Sequence, residues 1–370
     1  MARTKETEFA DVLGKLPDVT RLNCEKDLPG ENYDFFLCAL GFEDRCLKIP
    51  EQLAYRTNFK CKQAIYFGYA TNVEDNAVNR PRLIESFQKF SDSYNSLLCD
   101  EEDFTKRLRE LLKRIAASDH KLKIVFDISS CSSKLLLLTI KVLFEFDVNL
   151  QIVYSEAAIY HPTCEEFEKE PEKWTTEESF GIAKGVDKVI ASPEHPGNRR
   201  DKLPEVIIVF PTFKPERTNA IITDIDESLL IKPGRSIIWI IGDPHMDEET
   251  KKKRKDIIRK INKIPQDALS YEVCTFNYKK TIGVLEQIYS SRETEFHTNI
   301  SALGSKMQSL GIALFWYVRQ DISIYFAIPI GYNPSQYSEG CKATWQIDFG
   351  DLTEIRDILN KVGQLEIINR

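Results

Sequence analysis

The sequence predicts an α/β chain of two tandem lobes with mainly parallel sheets, related by internal duplication. Three observations predict it. Short β-branched and aromatic runs alternate with helix-period segments, as in "YDFFLCAL" (33–40), "QAIYFGYA" (63–70) and "DFTKRLRELLKRIAA" (103–117). That alternation is the pattern of a parallel sheet covered on both faces. It lapses between about 163 and 203, where the chain turns polar, charged and proline-rich, and then resumes. Finally, an ungapped offset of 172 residues carries the first half onto the second, from Arg45 on Arg217 to Pro162 on Pro334.

The expected organisation is a helical lead-in over 1–30, a first Rossmann-like lobe over 31–163 and a polar connector over 164–203. A second Rossmann-like lobe over 204–346 and a C-terminal helix over 347–370 complete it. In the first lobe "YDFFLCAL" ends in "GFEDR", a turn that opens a helix through about residue 55. The strand closing at Asp127 breaks into "SSCSSK", enters a helix to about 146, and is followed by the strand "NLQIVYSEA" (149–157). In the second lobe "EVIIVFPTF" and "SIIWIIGDPH" are strands, whereas the strand before the second serine turn, "EFHTNIS", is far more polar than "KIVFDIS".

The offset aligns Phe104 with Phe276, and Ser129, Ser133 and Lys134 with Ser301, Ser305 and Lys306. Tyr160 and Pro162 of "YHP" meet Tyr332 and Pro334 of "YNP". Both halves therefore keep a strand, then S-x-x-[S/G]-S-K, then an apolar helix. In each turn a small residue, Ser132 or Gly304, lets backbone N–H groups approach a ligand. The hydroxyl of Ser133 or Ser305 can bond a phosphate oxygen, and Lys134 or Lys306 adds a point charge. A lysine in a first helical turn opposes the helix dipole, a cost that a bound anion offsets. The structural alternative is a serine cap followed by a lysine whose stem packs and whose head reaches water. Arg45 and Arg217 suit bidentate phosphate contact, or ion pairs with Glu43 and Glu216.

Bulk properties bound the function. The chain has 42% hydrophobic and 29% charged residues, which excludes a disordered or disulfide-scaffold protein. No apolar run reaches membrane-span length, and residues 1–17 lack the apolar core of a signal peptide. Nine cysteines without a CxxC pair point to reduced thiols, a cytoplasmic setting and no metal site. A net charge of −7 disfavours duplex nucleic-acid binding. The basic run Lys251–Lys260 follows acids at 247–249 and reads as a solvated helix face.

No catalytic constellation emerges, and no cofactor is expected. Asp127 closes a strand, but its repeat mate is Asn299; it is a candidate for bonding a ribose hydroxyl or capping the turn. Cys131 lies near a helix start, where thiolate forms more readily, yet Leu303 stands at the matching place. His245 of "GDPH" is a candidate acid–base group on a sheet-edge loop. Neither the Walker pattern nor the dinucleotide glycine fingerprint occurs.

The strand, [S/G]-S-K and helix arrangement in paired lobes resembles the CRISPR-associated Rossmann-fold sensors and the related SAVED-type sensors. "GSK" at 304–306 looks like that family's Gly-Thr-Lys element, and "SSK" at 132–134 is a looser copy. The resemblance implies a sensor of a nucleotide-type second messenger, bound in a composite cleft between the lobes, in bacterial antiviral defence. Family members commonly carry an effector, and only 20 residues follow residue 350. The resemblance therefore implies a separate protein partner with the effector activity, or cleavage of the chain's own cyclic ligand. The competing classes are an enzyme acting on a nucleotide or phosphorylated small molecule, and a non-catalytic scaffold.

Overall fold

A computed structural model describes residues 5–23, 28–100, 102–116, 121–171, 185–197, 203–231, 236–292 and 295–365. Along the chain run α1 (Lys5–Gly14), β1 (Thr20–Leu22), β2 (Glu31–Ala39), α2 (Arg45–Ala54) and β3 (Phe59–Gly68). Next come α3 (Val73–Phe90), β4 (Ser91–Leu98), α4 (Phe104–Ala116), β5 (Leu122–Asp127), α5 (Ser133–Leu143), β6 (Val148–Glu156) and β7 (Ile159–Tyr160). The alternation continues through α6 (Cys164–Lys169), β8 (Val186–Ala191), β9 (Glu205–Val209), α7 (Pro215–Asp226), α8 (Ser228–Ile231) and β10 (Ile237–Asp243). Then follow α9 (Glu248–Ile261), β11 (Ser270–Cys274), α10 (Tyr278–Ser290), β12 (His297–Ser301), α11 (Lys306–Val318) and β13 (Ser323–Pro329). The short β14 (Ser338–Glu339), β15 (Ala343–Asp351) and α12 (Leu352–Gln364) close the order. No helix among the described residues is long and apolar enough to cross a membrane.

The chain divides into two compact units. One comprises Leu16–His161 with Pro334–Asp357, here the first unit; the second comprises Met1–Lys15, Pro162–Asn333 and Ile358–Arg370. The first unit holds a seven-stranded sheet in the order β1-β15-β6-β5-β2-β3-β4. Strands β4, β3, β2, β5 and β6 are mutually parallel, while β15 runs antiparallel to β6. The second unit holds a six-stranded sheet in the order β11-β10-β9-β12-β13-β8, parallel except for β8. Numbered within each half, both sheets follow the order 3-2-1-4-5 with an antiparallel strand beside strand 5, and β1 extends the first sheet beyond β15. This shared topology agrees with the duplication read from the 172-residue offset.

Packing explains why each sheet holds. On one face of the first sheet Phe36, Phe59, Phe87 and Phe90 form an edge-to-face cluster, with Phe59 and Phe90 centroids 5.2 Å apart. In the second unit Ile207, Val209, Trp239, Ile241 and Ile264 fill the corresponding space between sheet and helices.

Two expected boundaries differ from the observed ones. The connector 164–203 is not structureless throughout: it supplies α6, and β8 pairs antiparallel with β13. Residues 343–346, expected in the second lobe, and 347–351, expected as helix, form β15 of the first sheet. Their alternation, with Ile347 and Phe349 buried and Asp348 exposed, has the period of a strand. β15 covers the edge that β6 would otherwise leave open.

Candidate functional site

In a 3-2-1-4-5 sheet the winding direction reverses between strands 1 and 4, and the crevice outside their carboxyl ends is the ligand position of open α/β folds. In the first unit those strands are β2 and β5. Their following turns touch: Ser130 Oγ donates to the Ala39 carbonyl at 2.8 Å, and a Cβ added at Gly41 would sit 3.2 Å from Ser130 Cβ. Tyr69, after β3, donates to the Ser130 carbonyl at 3.1 Å and accepts from the Ser132 N–H at 2.8 Å. Ser132 Oγ caps α5 by accepting from Leu135 N at 3.1 Å. Ser133 and Lys134 stand half-buried at the helix mouth, with Lys134 Nζ 3.7 Å from Asp100 Oδ1.

Ser129 has a different position. It is buried, donates to Asp127 Oδ1, and accepts from the Ser155 N–H of β6 at 2.8 Å. It thus ties strand 4 to strand 5 beneath the turn. Asp127 is 1% exposed; Oδ1 also accepts from Ser129 N at 2.9 Å, while Oδ2 has no hydrogen-bond partner. Burial pushes its carboxyl up to about 7, against the lowering effect of the Ser129 bonds and of Arg45. Cys131 is fully buried with its thiol toward the Asp127 carbonyl at 3.6 Å, a packed rather than presented sulfur.

Arg45 is buried and held by Glu43 through Nε–Oε1 and Nη2–Oε2 contacts of 2.9 and 3.0 Å. Its guanidinium also lies 5.9 Å from the Tyr160 ring centre. Burial alone would lower its pKa, but Glu43, Tyr160 and Tyr154 hold it above its ordinary value. The ion pair weighed from the sequence is therefore the arrangement present.

The second unit repeats the plan around β9 and β12. Ser301 is buried and accepts from Phe210 N at 3.1 Å, tying strand 4 to strand 1. Gly304 has no room for a side chain: a Cβ would meet Gln308 Oε1 at 2.8 Å and Phe210 Cδ1 at 3.1 Å. Ser305 and Gln308 form a reciprocal capping box, and Ser305 Oγ donates to the Thr275 carbonyl at 2.6 Å. Lys306 opens α11, half-buried. The polar strand β12 is central because its polar groups are answered. Asn299 Nδ2 donates to Glu205 Oε2 at 2.7 Å, and His297 Nε2 lies 3.1 Å from Ser323 Oγ.

Arg217 reaches across to β13, donating from Nη2 to the Ala327 carbonyl at 2.9 Å. Beside it stands Lys214, a residue the sequence reading passed over within "PTFKPER". Lys214 is buried, with Nζ 5.1 Å from the Tyr332 ring centre, and burial together with Arg217 holds its amine well below the ordinary lysine value. His245 is exposed on the loop after β10, tilted against Phe276 with ring centres 6.1 Å apart.

The basic run is paired, as a solvated helix face should be. Lys255 meets Glu272 at 2.7 Å, Lys253 meets Glu168 at 3.2 Å, and Arg254 lies over the Phe213 ring at 4.5 Å. Among the described residues no three His, Cys, Asp or Glu side chains are placed to hold a metal ion. The eight described cysteines are all free.

No family model matches this chain, and no curated protein matches it. Among solved structures, the cytoplasmic domain of a prokaryotic cation chloride cotransporter is 8% identical over 82% of this chain and 99% of its own, with a TM-score of 0.22. A likeness at that level carries no argument about function.

Proposed function

We propose that the chain is a sensor of a nucleotide-type anionic ligand, read by the equivalent serine-lysine turns of its two units. One observation carries the reading. Both sheets have the same strand order, and in each a serine-capped helix with lysine in its first turn begins beside the order reversal. In both turns the cap is already satisfied by its own helix, so the hydroxyl fixes the geometry and the lysine remains the charged group at the mouth. Ser129 and Ser301 support the turns from below. Arg45, closed by Glu43, holds the first turn's neighbour in shape.

The resemblance to CRISPR-associated sensors is what suggests cyclic oligonucleotides as the ligand class and antiviral defence as the setting. It also suggests a separate effector protein as the downstream partner. A thermal-shift screen of the intact chain against cyclic di-, tri-, tetra- and hexanucleotides, beside linear nucleotides, tests the reading. A ligand at 100 times its Kd adds about 2.7 kcal/mol, a rise of several degrees in Tm. Absence of any shift across the panel would return the turns to the role of helix caps.

A second reading, hydrolysis of the bound nucleotide, has one observation in its favour. Asp127 sits under the first turn with its carboxyl pushed up to about 7, the range of a general base. Turnover lost in Asp127→Asn while ligand binding persists would select it.

A further inference from the structure

The two large sheets end in β1 and β4, and in β11 and β8. Three of these edges are protected as natural edges are. β1 is three residues long, β8 exposes Asp187 and Lys188, and Glu272 of the five-residue β11 is held by Lys255 at 2.7 Å. β4 is eight residues long, and among the described residues no strand pairs with its outer side. It contains no lysine, arginine, proline or glycine, and its one charge is Asp92. It also exposes two large apolar side chains, Tyr94 at 43% and Leu98 at 45%.

The pairing with β3 fixes which backbone groups are open. Cys99 N donates to the Gly68 carbonyl at 3.0 Å, and the register keeps one offset from Cys61↔Ser91 to Gly68↔Leu98. The odd-numbered residues of β4 therefore bond β3, and Asp92, Tyr94, Ser96 and Leu98 turn N–H and C=O outward. An antiparallel two-fold centred on Asn95 matches these four residues to themselves. Asp92 then stands opposite the partner's Leu98, and Tyr94 opposite the partner's Ser96. That register alone answers all four, with about eight N–H···O bonds. It keeps the two Asp92 carboxylates about 20 Å apart, whereas parallel in-register pairing would set them side by side. Tyr94 packs on Phe87 with ring centres 6.3 Å apart, and this pairing adds the partner's Leu98 as a diagonal neighbour.

We propose that β4 is the contact of a homodimer, in which the β4 strands of two copies pair antiparallel about Asn95 and join their sheets edge to edge. A two-fold contact of this kind closes on itself and consumes the open edge, so it ends at two copies. The interface stands on the backbone of β4 and does not depend on the serine-lysine turns.

The test is sedimentation velocity of the intact chain over a concentration series. Wild type reaches the dimer mass. Ser96→Lys brings the ammonium groups of the two copies near each other, and Ser96→Pro removes an outward N–H that β3 does not use; each raises the dimer dissociation constant about tenfold or more. Thermal melts check that each variant is folded, and if Ser96→Pro does not fold, Ser96→Lys decides alone. Cross-linking reads the register. At the axis the two Cα atoms of residue 95 lie about 4.5 Å apart, within disulfide reach. Asn95→Cys treated with oxidised glutathione therefore gives a covalent dimer on a non-reducing gel above the wild-type baseline, and Ser93→Cys, opposite the partner's Leu97, does not. A wild type that stays monomeric throughout, an undiminished dimer in folded Ser96→Lys, or no cross-link at position 95 each overturns the interface.

Discussion

Glu43 and Arg45, two residues apart, form a buried ion pair with two hydrogen bonds at the carboxyl end of the first strand of the first sheet. Neither partner has water to fall back on, so the pair behaves asymmetrically under mutation. Glu43→Gln leaves a buried guanidinium without its counter-charge and is expected to destabilise by about 3–5 kcal/mol. Replacing both residues with apolar side chains of similar volume is expected to cost far less, because no charge is then stranded. Urea denaturation of the single and double variants measures the difference. Equal losses in both would show that packing, and not the charge pair, sets the stability there.

Asp127 makes the first unit pH-sensitive. Its carboxyl titrates near 7 in the folded chain, against an ordinary 3.8, because burial disfavours the charge. Between those values the native state holds a proton that the unfolded chain has released. The group's contribution is therefore fully present below about pH 4 and is lost as pH rises through 7, a loss of roughly 3–5 kcal/mol. Asp127→Asn keeps an acceptor for the two Ser129 bonds and introduces the residue its repeat mate, Asn299, already carries. Relative to wild type, the variant is expected to be more stable at pH 8 than at pH 5, read from urea midpoints. A difference independent of pH would mean that the carboxyl is not titrating in this window.

Much of this architecture was legible in the sequence, because buried parallel strands are written in β-branched and aromatic residues and their helices in a 3.6 period. What was not legible has identifiable causes. β4, "SDSYNSLL", is an edge strand whose residues 92–96 are exposed, so no apolar pattern marks it. β15 was missed because its partner, β6, lies almost two hundred residues earlier, and pairing at that separation leaves only a faint alternation. The polarity of β12 has no local explanation in the sequence, since only the fold brings Glu205 and Ser323 to Asn299 and His297. At the site, the serine turns were found through the repeat. The buried Lys214 was not, because its place in the first half is taken by Phe42 and the offset shows no identity there.

The lysines of the two turns supply the binding prediction. Lys134 is held near Asp100 at 3.7 Å and is half-buried, as is Lys306. Each is expected to add a charge-assisted contact to a phosphate, so Lys134→Ala and Lys306→Ala should each weaken nucleotide binding about tenfold or more. Their effect on stability without ligand should stay within about 1 kcal/mol of wild type, the worth of a partly exposed ion pair. Binding curves and melting curves on the same samples separate the two effects. Unaltered affinity in both variants would remove the turns from the ligand site.

Two helical glycines, Gly311 of α11 against α10 and Gly283 of α10 against α1, provide a contrast. In α11, a Cβ on Gly311 would lie 2.7 Å from Thr281 Cβ and 2.8 Å from the Tyr278 carbonyl oxygen, a backbone atom that cannot rotate aside. Glycine is what lets the two helices approach so closely, and its repeat mate in α5 is Thr139. In α10, a Cβ on Gly283 would meet Leu13 Cδ2 at 3.5 Å and Phe9 Cε1 at 4.0 Å, ordinary contact distances. Both positions are helical, so alanine gains roughly 0.5–1 kcal/mol of backbone preference at either. At Gly311 overpacking of about 1–3 kcal/mol outweighs that gain, and Gly311→Ala is expected to lower Tm. At Gly283 nothing opposes it, and Gly283→Ala is expected to raise Tm. Thermal melts of the two variants therefore move in opposite directions; a rise in both would mean that the helices can separate at little cost.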